Sequence, residues 1–351
     1  MNPKSQIQNS KLSVALVGAG YWGQKLLPKF IGAPDCSVKT VCDLSAALRA
    51  GAKQKFPTVA TTDSYDAVLK DSAIDAVLLV TPPASHFPLA QKALEAGKHV
   101  WIEKPLALQV EEGRRLVELA GAKKAVLFVD HTFLYDGAIR MARELIQKGE
   151  LGTVYHLFLQ RLNLGRIKRD SNVWWNSAPH DASILLHLLP GRPLSIRLQG
   201  YRYLQRDVED LNMATIEMSD GSSAFIHHNW LSPENTAKLT VIGSKKLLTY
   251  EGRFDKRALT LYDYATDLRA TADPTSADLA NTIPSKISAE RKLEGIDREE
   301  PLAAAVGDFL DSIRRGRAPL SDGGFSLRVL ALLEAGEKSL RAGGEKVAVE
   351  V

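Results

Sequence analysis

Cysteine is scarce: Cys36 and Cys42 are the two thiols in 351 residues. They cannot build a disulfide framework or a four-thiolate metal site. Six residues apart on one short apolar stretch, they read as reduced core thiols of a cytosolic protein, and no metal is expected. Long apolar runs are also absent, and none approaches the ~20 residues needed to cross a bilayer. Lys4 and Lys11 ahead of the apolar residues 12–20 imitate a secretion signal. That apolar part is too short, and it runs into glycines that read as strand and turn. Charge of one sign is missing as well: 45 Lys and Arg face 41 Asp and Glu, a net +4. So small an excess calls for neither a nucleic acid nor a membrane as partner. No internal repeat or low-complexity segment is present, and residues 1–10 read as a loose polar tail.

What is there is average globular composition, 45% hydrophobic and 25% charged, which excludes global disorder. The length suits two domains. The first third alternates strand and helix. Apolar strands are expected at 12–17, 37–42, 75–80, 99–102 and 125–129, with helices at 21–31, 45–56, 85–96 and 110–121. Continuous apolar strands separated by helices mean a parallel sheet buried on both faces. After about residue 130 the pattern changes. A helix at 136–148 ends at the turn 149–152. Alternating stretches follow at 153–160, 195–204, 213–218, 223–228, 238–242 and 246–250, with hairpin-like links such as Ser219-Asp220-Gly221. One helix is expected near 180–189, its cap supplied by Asn176 or Ser177 with Pro179 in the first turn. Residues 267–300 read as a polar surface excursion, and two amphipathic helices, 301–315 and 326–341, close the chain. The fold class is therefore α/β: a parallel-sheet domain over 1–130, then an α+β domain over 131–351 with a mostly antiparallel open-faced sheet.

Gly18-Ala19-Gly20-Tyr21-Trp22-Gly23 spells GxGxxG. An apolar strand precedes it, a helix follows, and Asp43 ends the next strand 20 residues past Gly23. Together these make the dinucleotide fingerprint. Gly18 permits a tight turn, Gly20 lets a pyrophosphate approach the backbone, and Gly23 lets helix pack on strand. The helix N-terminus turns unpaired N–H groups toward the phosphates. Asp43 would accept the adenosine ribose hydroxyls and repel a 2′-phosphate, so NAD is expected over NADP. The plainer alternative is that Asp43 caps the helix starting near Ser45. Two other segments lie at carboxyl ends of parallel strands, where open α/β sheets bind ligands: Thr81-Pro82-Pro83 and Glu103-Lys104-Pro105. A lysine there can hydrogen-bond a reacting hydroxyl or carbonyl oxygen and assist proton transfer. A solvated surface lysine is the ordinary alternative.

Val80-Thr81-Pro82-Pro83-Ala84-Ser85-His86, Ala93-Leu94-Glu95-Ala96-Gly97-Lys98-His99-Val100 and Glu103-Lys104-Pro105-Leu106 strongly resemble the Gfo/Idh/MocA family of oxidoreductases. The resemblance continues in Gly149-Glu150-Leu151-Gly152 and the closing helices, and so covers nearly the whole chain. It implies a Rossmann domain followed by an open-faced sheet domain. It also implies oxidation or reduction of a secondary alcohol on a sugar or cyclitol with NAD or NADP. Lys104 matches the family's active-site lysine and Glu103 a residue near the nicotinamide ribose, and the Lys104–Pro105 peptide should be cis. Tyr21, Trp22, Thr81, Pro82 and His86 join Gly18, Gly20, Gly23, Asp43, Glu103 and Lys104 in the expected cofactor site. Family members are typically dimers or tetramers, and a sheet with helices on one face leaves the other needing cover.

In the second domain, Asn176 and His180 are four residues apart and face one side of a helix start. Histidine is the natural base for a secondary alcohol near neutral pH. A structural histidine is the alternative, and His187 in the same apolar run reads that way. The family commonly has Asp-x-x-x-His here, and this chain has Asn176 in place of the Asp. Some nucleotide-sugar members share that Asn, which would position substrate. The run Arg161-Leu162-Asn163-Leu164-Gly165-Arg166-Ile167-Lys168-Arg169 carries four cations in nine residues, enough to hold a diphosphate, or else forms a solvated loop. It resembles the nucleotide-sugar dehydrogenase branch of the family. Trp174 and Trp175 either stack on a sugar or base or anchor the sheet. The expected substrate-side residues are Arg161, Asn163, Arg166, Lys168, Trp175 and Asn176, with Lys104 and His180 catalytic. The leading expectation is oxidation of a nucleotide-linked amino sugar of the UDP-N-acetylglucosamine type at C3. The alternatives are a free cyclitol or sugar dehydrogenase, which has no use for the cationic run, and a dinucleotide-binding regulator.

Overall fold

The computed structural model describes residues 11–164, 167–169, 171–253, 256–266 and 285–351. The chain divides into two compact units, each assembled from separated stretches. The first takes Met1–Tyr135, Glu299–Glu334 and Glu350–Val351, and the second Asp136–Arg298 and Ala335–Val349.

The first unit alternates β1 (Leu12–Val17), α1 (Gly23–Gly32), β2 (Cys36–Cys42), α2 (Ala46–Lys55), β3 (Ala60–Thr62), α3 (Tyr65–Lys70), β4 (Ala76–Leu79), α4 (His86–Glu95), β5 (His99–Glu103), α5 (Val110–Lys123) and β6 (Leu127–Asp130). All six strands are parallel, in the order β3-β2-β1-β4-β5-β6. The apolar run of β4 is buried along its whole length because helices cover both faces. On one face Val77, Leu79, Val100, Ile102 and Val129 pack with Leu94 of α4 and Leu116 of α5. On the other, Trp101 stacks on Phe128 at 4.2 Å and meets Phe30 edge-on at 5.3 Å. β3 and α3 escape a sequence reading because they are short and α3 buries a single residue, Val68.

The second unit opens with α6 (Gly137–Gln147), β7 (Val154–Leu162) and α7 (Val173–Leu188). Then come β8 (Pro193–Tyr201), β9 (Leu211–Met218), β10 (Ser223–Asn229), β11 (Thr236–Gly243), β12 (Lys246–Arg253) and β13 (Lys256–Thr266). With β14 (Ser285–Lys292) and the late β15 (Val347–Ala348), they form one nine-stranded sheet, β14-β13-β12-β11-β7-β10-β9-β8-β15. Every pairing is antiparallel except β7 with β10. Alternation sorts the faces: Leu157 and Leu159 of β7 are buried, while Phe158 between them lies on the opposite face, stacked on Phe225 at 5.2 Å. The surface excursion expected over 267–300 is in part the exposed edge strand β14; residues 267–284 lie outside the described residues. Of the last helices, α8 (Pro301–Arg315) belongs to the first unit, and the unit division falls within α9 (Gly323–Arg341). Phe309 of α8 meets Trp101 edge-on at 5.6 Å. Among the described residues no helix is long and apolar enough to cross a membrane.

One helix start differs from expectation. α7 begins at Val173, and its cap is Asn172, whose side chain accepts the Trp175 N–H at 3.0 Å. Asn176, Ser177 and Pro179 are inside the helix, so neither of the expected caps is one. Pro179 has no N–H to offer Trp175 at the position four residues back.

Candidate active site

In the first unit, the glycine loop joins β1 to α1. Gly18 has φ of +97°, and a Cβ on it would collide with the Val80 carbonyl. A Cβ on Gly23 would collide with the Gly18 carbonyl. Gly20 has nothing near its missing Cβ. Two glycines are thus demanded by the chain's own packing and the third by open space where a pyrophosphate would approach, so the loop fits a dinucleotide. Asp43 follows β2 and accepts the Ala19 N–H at 2.7 Å and the Ser45 N–H at 2.8 Å, one on each carboxylate oxygen. The side-chain cap of α2 is Ser45, which receives the Leu48 N–H. Asp43 is therefore anchored to the glycine loop, and each oxygen keeps a second acceptor site for a ribose hydroxyl. Tyr21 is exposed, and Lys25 lies over its ring.

Thr81 and Pro82 follow β4 and are accessible. His86 is not: it is fully buried, with Nδ1 2.7 Å from the Pro105 carbonyl oxygen and Nε2 2.9 Å from that of Thr81. Burial holds its imidazole below the ordinary histidine range. The expectation that His86 meets the cofactor is corrected, because both ring nitrogens are occupied in tying the two strand-end segments together. The Lys104–Pro105 peptide is cis. Glu103 and Asp130 end the adjacent strands β5 and β6 and are buried side by side in register. Burial first, and then the neighbouring carboxyl, raises Glu103 well above the usual carboxylate range.

In the second unit, Asn172, Asn176 and His180 follow one another at intervals of four along α7, and both Asn176 and His180 are half-buried. Next to His180, Asp181 is almost wholly buried and accepts both Arg161 Nε at 3.2 Å and Arg161 Nη2 at 2.8 Å. Its Oδ2 also lies 2.8 Å from His228 Nε2, whose ring reaches Asn212 at 3.1 Å. Burial alone would raise the Asp181 carboxyl, but Arg161 and His228 outweigh it and hold it at about 2. Burial keeps His228 below the ordinary histidine range. Arg161 thus spends its planar fork on Asp181 instead of standing open on the loop for a diphosphate. The trio pins α7 to β7 and β10 directly beneath His180.

Of the other expected substrate residues, Asn163 is half-buried and its backbone N–H is bonded to Asn229. Lys168 is exposed, and its carbonyl accepts from Gln205. Arg166 lies outside the described residues. Trp175 is half-buried and donates its indole N–H to Glu337 at 3.1 Å. Trp174 is fully buried against Gly336 and takes the anchoring role. Sequence reasoning passed over Asp130, Asp181, His228 and Asn212. The signal for His228 is its place two residues after Ile226 on the buried face of β10, where a histidine needs a polar partner. Cys36 and Cys42 are free and buried, and burial pushes their thiols up to about 12 and about 11.

The model of the oxidoreductase family with an NAD-binding Rossmann fold, GFO_IDH_MocA, matches residues 12–131. The GFO/IDH/MocA C-terminal domain matches residues 139–249. The UDP-N-acetylglucosamine 3-dehydrogenase of Acidithiobacillus ferrooxidans is 25% identical over 91% of this chain and 94% of its own length. Its solved structure superposes with a TM-score of 0.80 at 23% identity, covering 95% of this chain and 99% of that one. Levoglucosan dehydrogenase, solved with NADH and L-sorbose, gives a TM-score of 0.81 at 19% identity over 97% and 99% of the two chains. The WlbA dehydrogenase of Bordetella pertussis, solved with NADH and UDP-GlcNAcA, gives 0.78 at 20% identity over 98% and 99%.

Proposed function

Because this chain belongs to the Gfo/Idh/MocA family of oxidoreductases, we propose that it oxidises a secondary hydroxyl of a nucleotide-linked amino sugar, UDP-N-acetylglucosamine at C3, to the 3-keto sugar. NAD is its cofactor, and when bound supplies the hydride acceptor. His180 takes the hydroxyl proton as the C3 hydrogen leaves with its electron pair. Lys104 hydrogen-bonds the oxygen that becomes the carbonyl, and Asn176 orients the ring. Asp43 holds the adenosine ribose and selects against a 2′-phosphate.

The observation that carries this reading is the near full-length likeness to a UDP-N-acetylglucosamine 3-dehydrogenase. Exposed Lys168 and Arg169 support it, as cations available to a diphosphate now that Arg161 is committed to Asp181. Two charge-assisted contacts at ~1.5–3 kcal/mol each favour a nucleotide sugar over the free sugar by about a hundredfold or more. The aromatic pair Phe158 and Phe225 on the face of the sheet opposite α7 is the centre of the surface through which the chain associates with copies of itself.

Calorimetry with UDP tests the substrate. We expect measurable binding, weakened by neutralising Arg166 and Lys168 together while NADH binding is kept. Absence of UDP binding, or turnover of free inositol or glucose as efficient as that of UDP-N-acetylglucosamine, overturns the assignment in favour of a free-sugar dehydrogenase. Lys104→Ala and His180→Asn should each lose ~10²–10⁴-fold in rate with the fold and NAD binding intact.

A further inference from the structure

Glu103 and Asp130 present an accounting problem. They are partners in the parallel register of β5 and β6, so their side chains project on the same face, as do Trp101 and Phe128 one step earlier. Parallel neighbours lie ~4.8 Å apart across the sheet. Glu103 is 9% exposed and Asp130 1%. Asp130 Oδ1 accepts the Thr132 hydroxyl at 2.6 Å. Oδ2 of Asp130 and Oε1 of Glu103 are both buried and have no donor among the described residues. The buried indole N–H of Trp22, at the start of α1, is aimed at the pair without reaching hydrogen-bond geometry with either carboxyl. Two ionised carboxylates here would leave two acceptors unsatisfied and place like charges together in a dry site, each of which is costly.

One proton removes both penalties, since it turns one carboxyl into a donor for the other. We propose that Glu103 and Asp130 share a single proton in the folded protein, as a carboxylic acid–carboxylate pair of net charge −1, which makes Asp130 a positioning residue for Glu103 and Lys104. The surroundings agree. Burial raises both carboxyls, Asp130 to about 6 and Glu103 well above the ordinary range. Among the described residues, Lys104 acts on both carboxyls and favours ionisation, and the Asp130 charge is felt by Tyr135, whose phenol donates to Asp308 at 2.7 Å. Lysine at the end of β5 then meets one negative charge near neutral pH. It meets two only after the pair gives up its shared proton, and the second charge raises the lysine's own pKa. This inference concerns the first unit alone and stands whichever sugar is the substrate.

Infrared titration of the wild-type apoprotein tests it directly. A carbonyl stretch of a protonated carboxylic acid should be present at neutral pH and titrate away as the pH rises. It should be missing from Asp130→Asn and from Glu103→Gln, because an amide donates to the remaining carboxylate without a proton. The alkaline limb of kcat/KM in Asp130→Asn should move to lower pH by about one unit, the second negative charge beside Lys104 being gone. No carboxylic acid band in the wild type at neutral pH, or a band that survives both substitutions, overturns the proposal. The wild-type titration decides the matter even where a variant does not fold.

Discussion

The first unit buries an acid against an acid, and the second buries an acid against a guanidinium. Glu103 and Asp130 are driven toward the protonated form, whereas Asp181 is held ionised at about 2 although it is as deeply buried. Burial pushes in the same direction in both places, and the neighbour decides the outcome. The chemistry then differs. A shared proton is held in place by mutual need and is released by a rise in pH. A bidentate ion pair is a fixed brace, and bracing is what the helix that carries His180 requires.

The sharpest way to break the comparison is to remove the guanidinium's partner. Asp181→Ala takes the buried carboxylate away from Arg161 and His228, and should lower unfolding free energy by about 3–5 kcal/mol in urea titrations. The double variant Asp181→Leu, Arg161→Met should recover most of that loss. Asp43 gives a third environment, a carboxylate held by backbone N–H groups. Asp43→Ala should weaken NAD binding by about 1.5–3 kcal/mol and narrow its preference over NADP, as titration with both dinucleotides would show. Next comes acid sensitivity. The ordinary Asp value is 3.8 and the folded value of Asp181 about 2, so this carboxyl adds stability above pH ~4 that is lost as pH falls toward 2. The loss is about 2 kcal/mol, absent from the double variant. The raised carboxyls of the first unit act with opposite sign: stability is full below the ordinary carboxylate range and declines as pH rises through their folded values. The smallest effect should come from an exposed pair. Glu111→Ala, which separates Glu111 from Arg114 and Arg115, should change stability by under ~1 kcal/mol in the same urea assay.

Much of this was legible in the sequence where the cause is local. The glycine loop, Asp43 and the strand ends carrying Thr81 and Lys104 depend on residues within a few positions of one another, and unbroken apolar strands announced the parallel sheet. α7 was legible as a helix but not where it starts, because aromatic and polar residues 173–177 have little helical propensity and the Asn172 cap follows a basic loop. β14 was missed because it is exposed nearly throughout, and β13 although Leu259 and Leu261 alternate onto its buried face. The Arg161–Asp181–His228 trio joins residues 20 and 47 positions apart, which only the sheet register brings together. Asp130 left a faint mark: it closes an all-apolar strand just as Glu103 does, and strand parity alone places the two on one face.

Phe309 completes a ring cluster whose other members, Phe30, Trp101 and Phe128, belong to a part of the chain synthesised far earlier. The second unit is likewise closed late, by β15 pairing with β8 and by Ser339 accepting the Leu198 N–H at 2.8 Å. On a ribosome emitting the chain from its N-terminus, the first core is not sealed until α8 has emerged, and the second not until β15 has. The nascent protein therefore carries an uncovered aromatic surface for most of its synthesis. A single cut between Asp136 and Arg298 parts both units at once, whereas a cut ahead of Asp136 divides the first unit alone.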